Sequence, residues 1–382
     1  MDTKDFDVVA MRTDLHQIPE LGFNEHKTSD YVAAKLKEMG LEPIRGIGGT
    51  GVVAYIDGTE PGPTVMLRAD MDALPFVIDG KDACIHACGH DSHTAMVLAT
   101  AAKLIGHVKK GRVKLFFQPA EETLFGALKS YDDGVLDDVD YAFGAHVRPI
   151  QDIPDGTVCA AVRHTSSTFC IVELKGKVAH GSRPHLGASV VEAAVLATNA
   201  VNSIWVNPNK AWSAKVTSID CASTATNIIP DKGKMILDIR AQDNETMNEL
   251  LEKLKTAITN ACACVNVTCE ITFPGGVIPA AVYDEDLVDQ VRKTIGEVLG
   301  EDKVAKDCGG GGEDFHYFKQ KKPELHAAYI GVGTGVTPGL HDPRMTMNPE
   351  SLRNGVKVFL SFIEESQIIS REPLSTRGSL IF

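Results

Sequence analysis

Between His86 and His93 the chain places five side chains able to hold a transition metal within eight positions: His86, Cys88, His90, Asp91 and His93. Thiolate, imidazole and carboxylate groups are all competent ligands for zinc-like ions. Gly89 allows a backbone turn tight enough for Cys88 and His90 to face one ion. The same segment would also suit a polar helix start capped by Asp91 or Ser92, but the density of ligand-competent groups favours the metal. A second signal is Glu121-Glu122, which directly follows the strand-like run Arg112 to Gln118 and the pair Pro119-Ala120. Adjacent side chains diverge, so one carboxylate can bind an ion while the other addresses a water that the ion activates. That division suits hydrolysis, a ligand beside a general base. Alone, the pair would read as an acidic helix start.

His146 and His341 are single histidines, and a single histidine is more often a surface or core residue than a ligand. His146 gains weight by following the strand pattern Tyr141 to Ala145. His341 lies in a Gly- and Pro-containing stretch, Gly331 to Asp342, led by an apolar strand. Other signals are set aside. Gly46 to Gly51 has the spacing of a dinucleotide fingerprint, but a strand follows it where that fingerprint needs a helix. Cys262, Cys264 and Cys269 lack tight paired spacing and read as packing thiols. Gly309 to Gly312 suits either a close backbone approach to a ligand or a flexible turn. There is no Gly-x-Ser-x-Gly elbow and no phosphate loop ending in Lys-Ser/Thr.

The elements that must position these groups alternate. A helical stripe of Val32, Leu36 and Met39 ends at Gly40. Strands follow at Val52 to Ile56 and Thr64 to Ala69, then a Gly- and Ser-containing loop and a helix with Val97, Ala101 and Leu104 inside. Strands interleaved with helices predict an α/β fold, a mainly parallel sheet with helices on both faces. Ligands in such sheets gather outside the carboxyl ends of the strands, and three of the four clusters follow a strand.

The middle of the chain reads differently. Strand Thr168 to Val178, helix Ala188 to Ile204, strands Trp212 to Ser218 and Lys234 to Arg240, a helix through Leu250 and Ile258, and strand Val265 to Phe273 give the order βαββαβ of a ferredoxin-like unit. The expected organisation is a catalytic domain beginning at 1–165, an inserted unit at 166–274, and the catalytic domain resuming over 275–382. Leu352 to Ile363 forms the last helix, and Ser366 to Phe382 has no clear pattern.

Bulk properties narrow the class. At 382 residues, two domains are the natural expectation. With 43% hydrophobic and 23% charged residues the chain is an ordinary globular one. A formal charge of −13 without a basic run disfavours nucleic acid. No stretch reaches the roughly 18 apolar residues of a membrane span, and Met1 to Arg12 has no apolar signal core. Nine irregularly spaced cysteines read as reduced thiols, hence a cytoplasmic setting.

In this order the clusters resemble the metal-dependent aminoacylase and carboxypeptidase family of dinuclear zinc peptidases. The similarity is to its branch of hippurate hydrolases, N-acyl-amino-acid deacylases and indole-acetyl-amino-acid hydrolases. It runs from Leu15-His16-Gln17-Ile18-Pro19-Glu20-Leu21 to the final helix. Arg68-Ala69-Asp70-Met71-Asp72-Ala73-Leu74-Pro75, His86 to His93, Gln118 to Glu122 and Gly339-Leu340-His341-Asp342-Pro343 carry it.

The resemblance implies an amidohydrolase of N-acyl amino acids that holds two divalent ions per subunit. Zinc follows from the mixed ligation, with manganese, cobalt or nickel also compatible. Cys88, His90, Glu122, His146 and His341 would be the ligands, with Cys88 a candidate bridge. Glu121 would be the base, and Asp72 would orient the site. The inserted unit would be a lid and dimerisation domain, presenting His180 to a neighbouring subunit's site in a homodimer. Asn227 and Arg240 would grip the substrate carboxylate, Arg240 through a planar fork, although a solvated strand-end charge would look the same. The segment from Pro75 to His86 is shorter than in most relatives, and the Gly309 to Gly312 lead richer in glycine, which leaves substrate preference open. Alternatives are a dipeptidase or carboxypeptidase of the same family, and a catalytically silent metal-binding protein on this fold.

Overall fold

A computed structural model describes residues 6–223 and 225–366; the unpatterned stretch from 367 to 382 lies outside them. The chain divides into two compact units. One comprises the residues up to Arg163, Val282–Gly309 and those from Asp314 onward. The other comprises His164–Ala281 with Gly310–Glu313.

The first unit is built on an eight-stranded sheet. In spatial order its strands are Ile44–Ile47, Gly51–Asp57, Lys110–Gln118, Glu60–Asp70, Tyr141–Pro149, His326–Val336, Val158–Cys159 and Val304–Ala305. The four strands from Lys110–Gln118 to His326–Val336 pair in parallel, and antiparallel strands flank them. The reason lies in composition. Thr64 to Asp70 and Ala327 to Val332 are buried without interruption, as strands covered on both faces must be. Of the helix His90–Leu104 only Lys103 is not buried. The Gly46 to Gly51 run forms the turn between two antiparallel strands.

Several sequence expectations need correction here. The loop expected after Pro75 is a hairpin, Leu74–Ile78 with Lys81–Ile85. It turns at Asp79 and Gly80, both with positive φ, and Asp-Gly is the pair that such a mirror-image turn favours. The helix that follows is entered through Gly89, not capped by Asp91 or Ser92. His146 lies within its strand, which continues to Pro149. Cys264 is exposed, so it is no packing thiol, whereas Cys262 is buried.

The second unit runs strand, helix, strand, strand, helix, strand: Ser166–Lys175, Val190–Asn202, Trp212–Asp220, Lys232–Ala241, Asn244–Ala263 and Thr268–Thr272. Its antiparallel sheet has the spatial order second, third, first, fourth, the arrangement of two interleaved βαβ halves. Asp243 caps the longer helix by accepting from the Thr246 N–H at 2.8 Å, and Ser189 caps the other. Leu250, Leu254 and Ile258 from one helix and Ala193, Ala197 and Val201 from the other meet Val172, Leu237 and Ile239 of the sheet in a single core. Among the described residues no helix is long and apolar enough to cross a membrane.

One buried charge network ties the parallel strands together at their carboxyl ends. Arg68, 1% exposed, donates to Asp70 at 2.7 Å, to Asp314 at 2.9 Å and to Gln118 at 3.0 Å. Removing the guanidinium would leave two buried carboxylates without their cation, which costs about 3–5 kcal/mol. Arg68→Met is therefore expected to lower the urea midpoint by that equivalent without changing the slope of the transition; an unchanged midpoint would remove Arg68 from this role.

Candidate metal centre

The donor groups converge because three backbone segments are held in unusual shapes. Gly89 has φ +91°, and a Cβ there would lie 2.4 Å from Val147 Cγ2. Only glycine allows Cys88 and His90 this approach to the Tyr141–Pro149 strand. Ala120 (φ 56°) and Leu124 (φ 65°) bracket a single helical turn, Glu121–Thr123. Glu25, fully buried, accepts from the Ala120 N–H at 2.7 Å and from Thr50 Oγ1 at 2.5 Å, and so supports the strained residue ahead of the acidic pair. His341 also has positive φ, 63°, and its N–H donates to the Ala87 carbonyl at 2.7 Å. That bond ties it to the residue beside Cys88.

Among the described residues five groups of ligand atoms result, and three of them join the donors expected from the sequence. Cys88 lies with His90 and His146, Cys88 with Glu122 and His341, and His90 with Glu121 and Glu122; within each group the atoms lie within 4.8 Å of one another. Cys88 belongs to two of the groups, and its Sγ is 3.4 Å from His146 Nε2. His90 Nε2 is 3.8 Å from Glu121 and 3.9 Å from Glu122, and His341 Nε2 is 3.4 Å from Glu122 Oε1. Asp72 serves two of these residues at once. One oxygen lies 3.0 Å from His90 Nδ1, and the other accepts from the Glu122 N–H at 2.9 Å. His90 Nδ1 is therefore held by Asp72, and Nε2 faces the carboxylates.

The electrostatics are those of a cluster short of positive charge on one side and of acceptors on the other. Burial, with Glu122 beside it, pushes the Cys88 thiol well up. Burial also opposes charge on His90, yet Asp70, Cys88 and Asp72 hold its imidazole well above the usual range. Burial, aided by His93 and Arg148, holds His146 well below it. The Glu122 carboxyl is raised by burial but lowered more by His341 and His90, and Glu122 in turn raises His341. His90 Nε2 and Glu122 Oε1 are buried without a well-aligned hydrogen bond, each met only at ion-pair distance, His90 by the carboxylates at 3.8–3.9 Å and Glu122 by His341 at 3.4 Å. A divalent cation would satisfy both, and the sulfur, nitrogen and oxygen donors suit a zinc-like ion. The residues fit such an ion.

The other sequence candidates lie in the second unit. His180 pairs in a short ribbon with Ile228. Its Nδ1 accepts from the Ser182 N–H at 3.1 Å and contacts Ser182 Oγ at 2.8 Å, while Nε2 is 3.3 Å from the Asn227 amide. His180 and Asn227 are thus neighbours. Arg240 forks onto Asp238 at 3.0–3.2 Å and is largely exposed.

Sequence reasoning assigned no role to Arg68, Asp70, Gln118, Asp314 or Glu25, all of which brace the site. Arg68 and Asp70 stood in a motif already singled out, but nothing in a linear pattern tells that Asp314 is their partner 246 residues from Arg68.

An open, mainly parallel sheet with Cys, His and Glu donors clustered beside its strands defines a metal-binding α/β protein. The chain belongs to peptidase family M20/M25/M40, whose model matches residues 66–365. It is 34% identical to thermostable carboxypeptidase 1 of Saccharolobus solfataricus, over 86% of each chain. It is also 34% identical to a hippurate hydrolase of Campylobacter jejuni, over 83% of this chain and 86% of that one. A crystal structure of a dinuclear metal-binding peptidase of the M20 family from Bacillus subtilis superposes with a TM-score of 0.80 at 29% identity, covering 96% of this chain and all of that one.

His86 belongs to none of the donor groups. It is 2% exposed, both ring nitrogens lack hydrogen bonds, and its ring stacks on His16 with centroids 6.1 Å apart. Burial pulls its pKa down to about 4. The folded state then binds fewer protons than the unfolded chain, so stability is full above about pH 6.5 and is lost as pH falls toward 4, by about 3 kcal/mol at most. In metal-free protein, His86→Leu is expected to keep its stability at pH 7 and to lose less than the wild type between pH 6.5 and 4. Parallel pH curves from urea unfolding would contradict this.

Proposed function

We propose that the protein is a metal-dependent amidohydrolase that cleaves the amide bond of N-acyl amino acids. The observation that carries this reading is the convergence of Cys88, His90, His146, Glu122 and His341 donor atoms beside the second carboxylate, Glu121. Cys88, His90, Glu122, His146 and His341 would hold two divalent ions per subunit, with Cys88 common to both. Zinc fits this donor set, and manganese, cobalt and nickel are compatible with it. Bound there, the ions supply Lewis acidity that activates a water and polarises the amide carbonyl.

The chain's own residues handle protons and position. The Glu121 carboxylate takes the proton of the attacking water and returns it to the departing amine nitrogen, so that acid and amine are released. Asp72 holds His90 and Glu122 in register through its two oxygens. His180, whose Nδ1 is held by Ser182 and whose Nε2 lies 3.3 Å from the Asn227 amide, would stabilise the carbonyl oxygen as it gains charge. Asn227 and Arg240 would bind the substrate carboxylate. The hippurate hydrolase relative supports the N-acyl amino acid class, and the carboxypeptidase relative supports a peptide-cleaving alternative with the same chemistry.

The 166–274 unit is proposed as a lid and as the contact of a homodimer, in which His180 serves the neighbouring subunit. Val191 and Val195 are exposed on its shorter helix, and Trp212–Asp220 is a sheet edge, the kind of surface that invites a partner. The nine free thiols support a reducing, cytoplasmic setting.

Assays with acetyl-, benzoyl- and indole-acetyl-amino acids against dipeptides, with metal analysis, separate the readings. Amide cleavage with none of these substrates under any added metal would favour a silent metal-binding protein. Glu121→Gln is expected to retain its metal and to lose about a hundred- to ten-thousand-fold in turnover; full activity would displace Glu121 as the base. His180→Ala should lower kcat strongly with metal content unchanged, and normal turnover would take His180 out of the mechanism.

A further inference from the structure

The proposed function leaves two imidazoles of the ligand-rich segment unused, His86 and His93. His93 is 1% exposed, and its donor atom lies within 4.8 Å of those of Asp70 and His90. Both of its nitrogens are nevertheless engaged. Nε2 accepts from the Val147 N–H at 2.9 Å, and Nδ1 lies 2.6 Å from Asp70 Oδ1. A nitrogen that accepts carries no proton, so the neutral ring has its proton on Nδ1, donated to the carboxylate. His93 therefore has no lone pair left for an ion.

What it holds is the backbone beside His146. The Tyr141–Pro149 strand pairs with Glu60–Asp70 only as far as Phe143 opposite Leu67. Beyond that point the Val147 N–H is taken up by His93. The carbonyl of the same residue lies 2.6 Å from His146 Nδ1. The result is a relay that ends on Asp70: His146 Nδ1–H donates to the Val147 carbonyl, the Val147 N–H to His93 and His93 to Asp70 Oδ1, while Arg68 donates to Asp70 Oδ2 at 2.7 Å from the other side. Its consequence is chemical. With the His146 proton placed on Nδ1, the Nε2 lone pair is free and lies 3.4 Å from Cys88 Sγ. The two rings meet edge to face with centroids 4.5 Å apart, so His93 also limits rotation of the His146 ring.

We propose that His93 is a positioning residue which, backed by Asp70 and Arg68, sets through the Val147 peptide the tautomer and aim of His146 toward a bound ion. This rests on the reading of His146 as a metal ligand. Groups that orient a ligating histidine typically contribute ten- to a hundredfold in metal affinity.

The test is zinc affinity of the full-length protein, measured by competition with a chromogenic chelator, alongside the absorption spectrum of the cobalt-loaded form. His93→Phe removes both hydrogen bonds and is expected to weaken zinc binding roughly ten- to a hundredfold and to shift the cobalt bands. His93→Gln can accept from Val147 and donate to Asp70, and should restore affinity to within about threefold of the wild type. In a His146→Ala background, His93→Phe should have no further effect, because its route to the ion is gone; a purely structural role would leave the loss undiminished. Wild-type affinity in His93→Phe, or an equal loss in both backgrounds, would overturn the proposal while leaving the metal centre standing. A wild-type protein that binds no zinc would overturn the metal reading itself, and this one with it.

Discussion

A guanidinium cannot be buried without carboxylates, and two carboxylates cannot be buried together without a cation. Arg68 sits between Asp70 on its own strand and Asp314 from a distant segment, and the first unit depends on that pairing. Gln118 completes the arrangement from the neighbouring parallel strand by donating to both oxygens of Asp314. Three stretches far apart in sequence are thus joined at the carboxyl end of the sheet. Because a buried pair is unforgiving of displacement, the turn that follows Gln118 starts from a fixed point.

From that point the site is assembled by carboxylates that face two ways. Asp72 holds His90 Nδ1 with one oxygen and accepts from the Glu122 N–H with the other. Asp314 accepts from the Ala127 N–H at 2.8 Å just beyond the acidic turn, and Glu25 accepts from Ala120 just before it. Glu121 and Glu122 are therefore held from both sides by groups that are not themselves donors to the proposed ions. Gly126 belongs to the same logic, since a Cβ there would lie 1.8 Å from the Pro119 carbonyl oxygen. Acceptors behind His90 and His146, Asp72 and the Val147 carbonyl, hold each ring by Nδ1 and leave its Nε2 facing Glu121 and Glu122 or Cys88.

Membership of peptidase family M20/M25/M40 agrees with this construction. The two units have different physical characters. One is a parallel sheet buried on both faces, with ligand-competent residues beside the strands. The other is an antiparallel sheet with helices and a single apolar core. Among the described residues the second unit leaves the strand edge Trp212–Asp220 unpaired and Val191 and Val195 exposed.

The sequence by itself determined the alternation of elements, the βαββαβ order of the middle segment and the candidate donors. Those signals are local: apolar periodicity, strand-length runs and a density of Cys, His and Glu at short spacing. It missed the hairpin at Asp79-Gly80, whose flanking residues are not evenly alternating, and it placed the end of the Tyr141–Pro149 strand early because His146 is polar yet buried. The partnerships were decided only by the tertiary structure. Arg68 with Asp314, Glu25 with Ala120, and His93 with the Val147 peptide each join residues at least fifty positions apart. A hydrogen bond has a direction and a length of about 3 Å, and neither is encoded in composition or periodicity. Which histidine keeps a free lone pair is therefore a property of the folded chain.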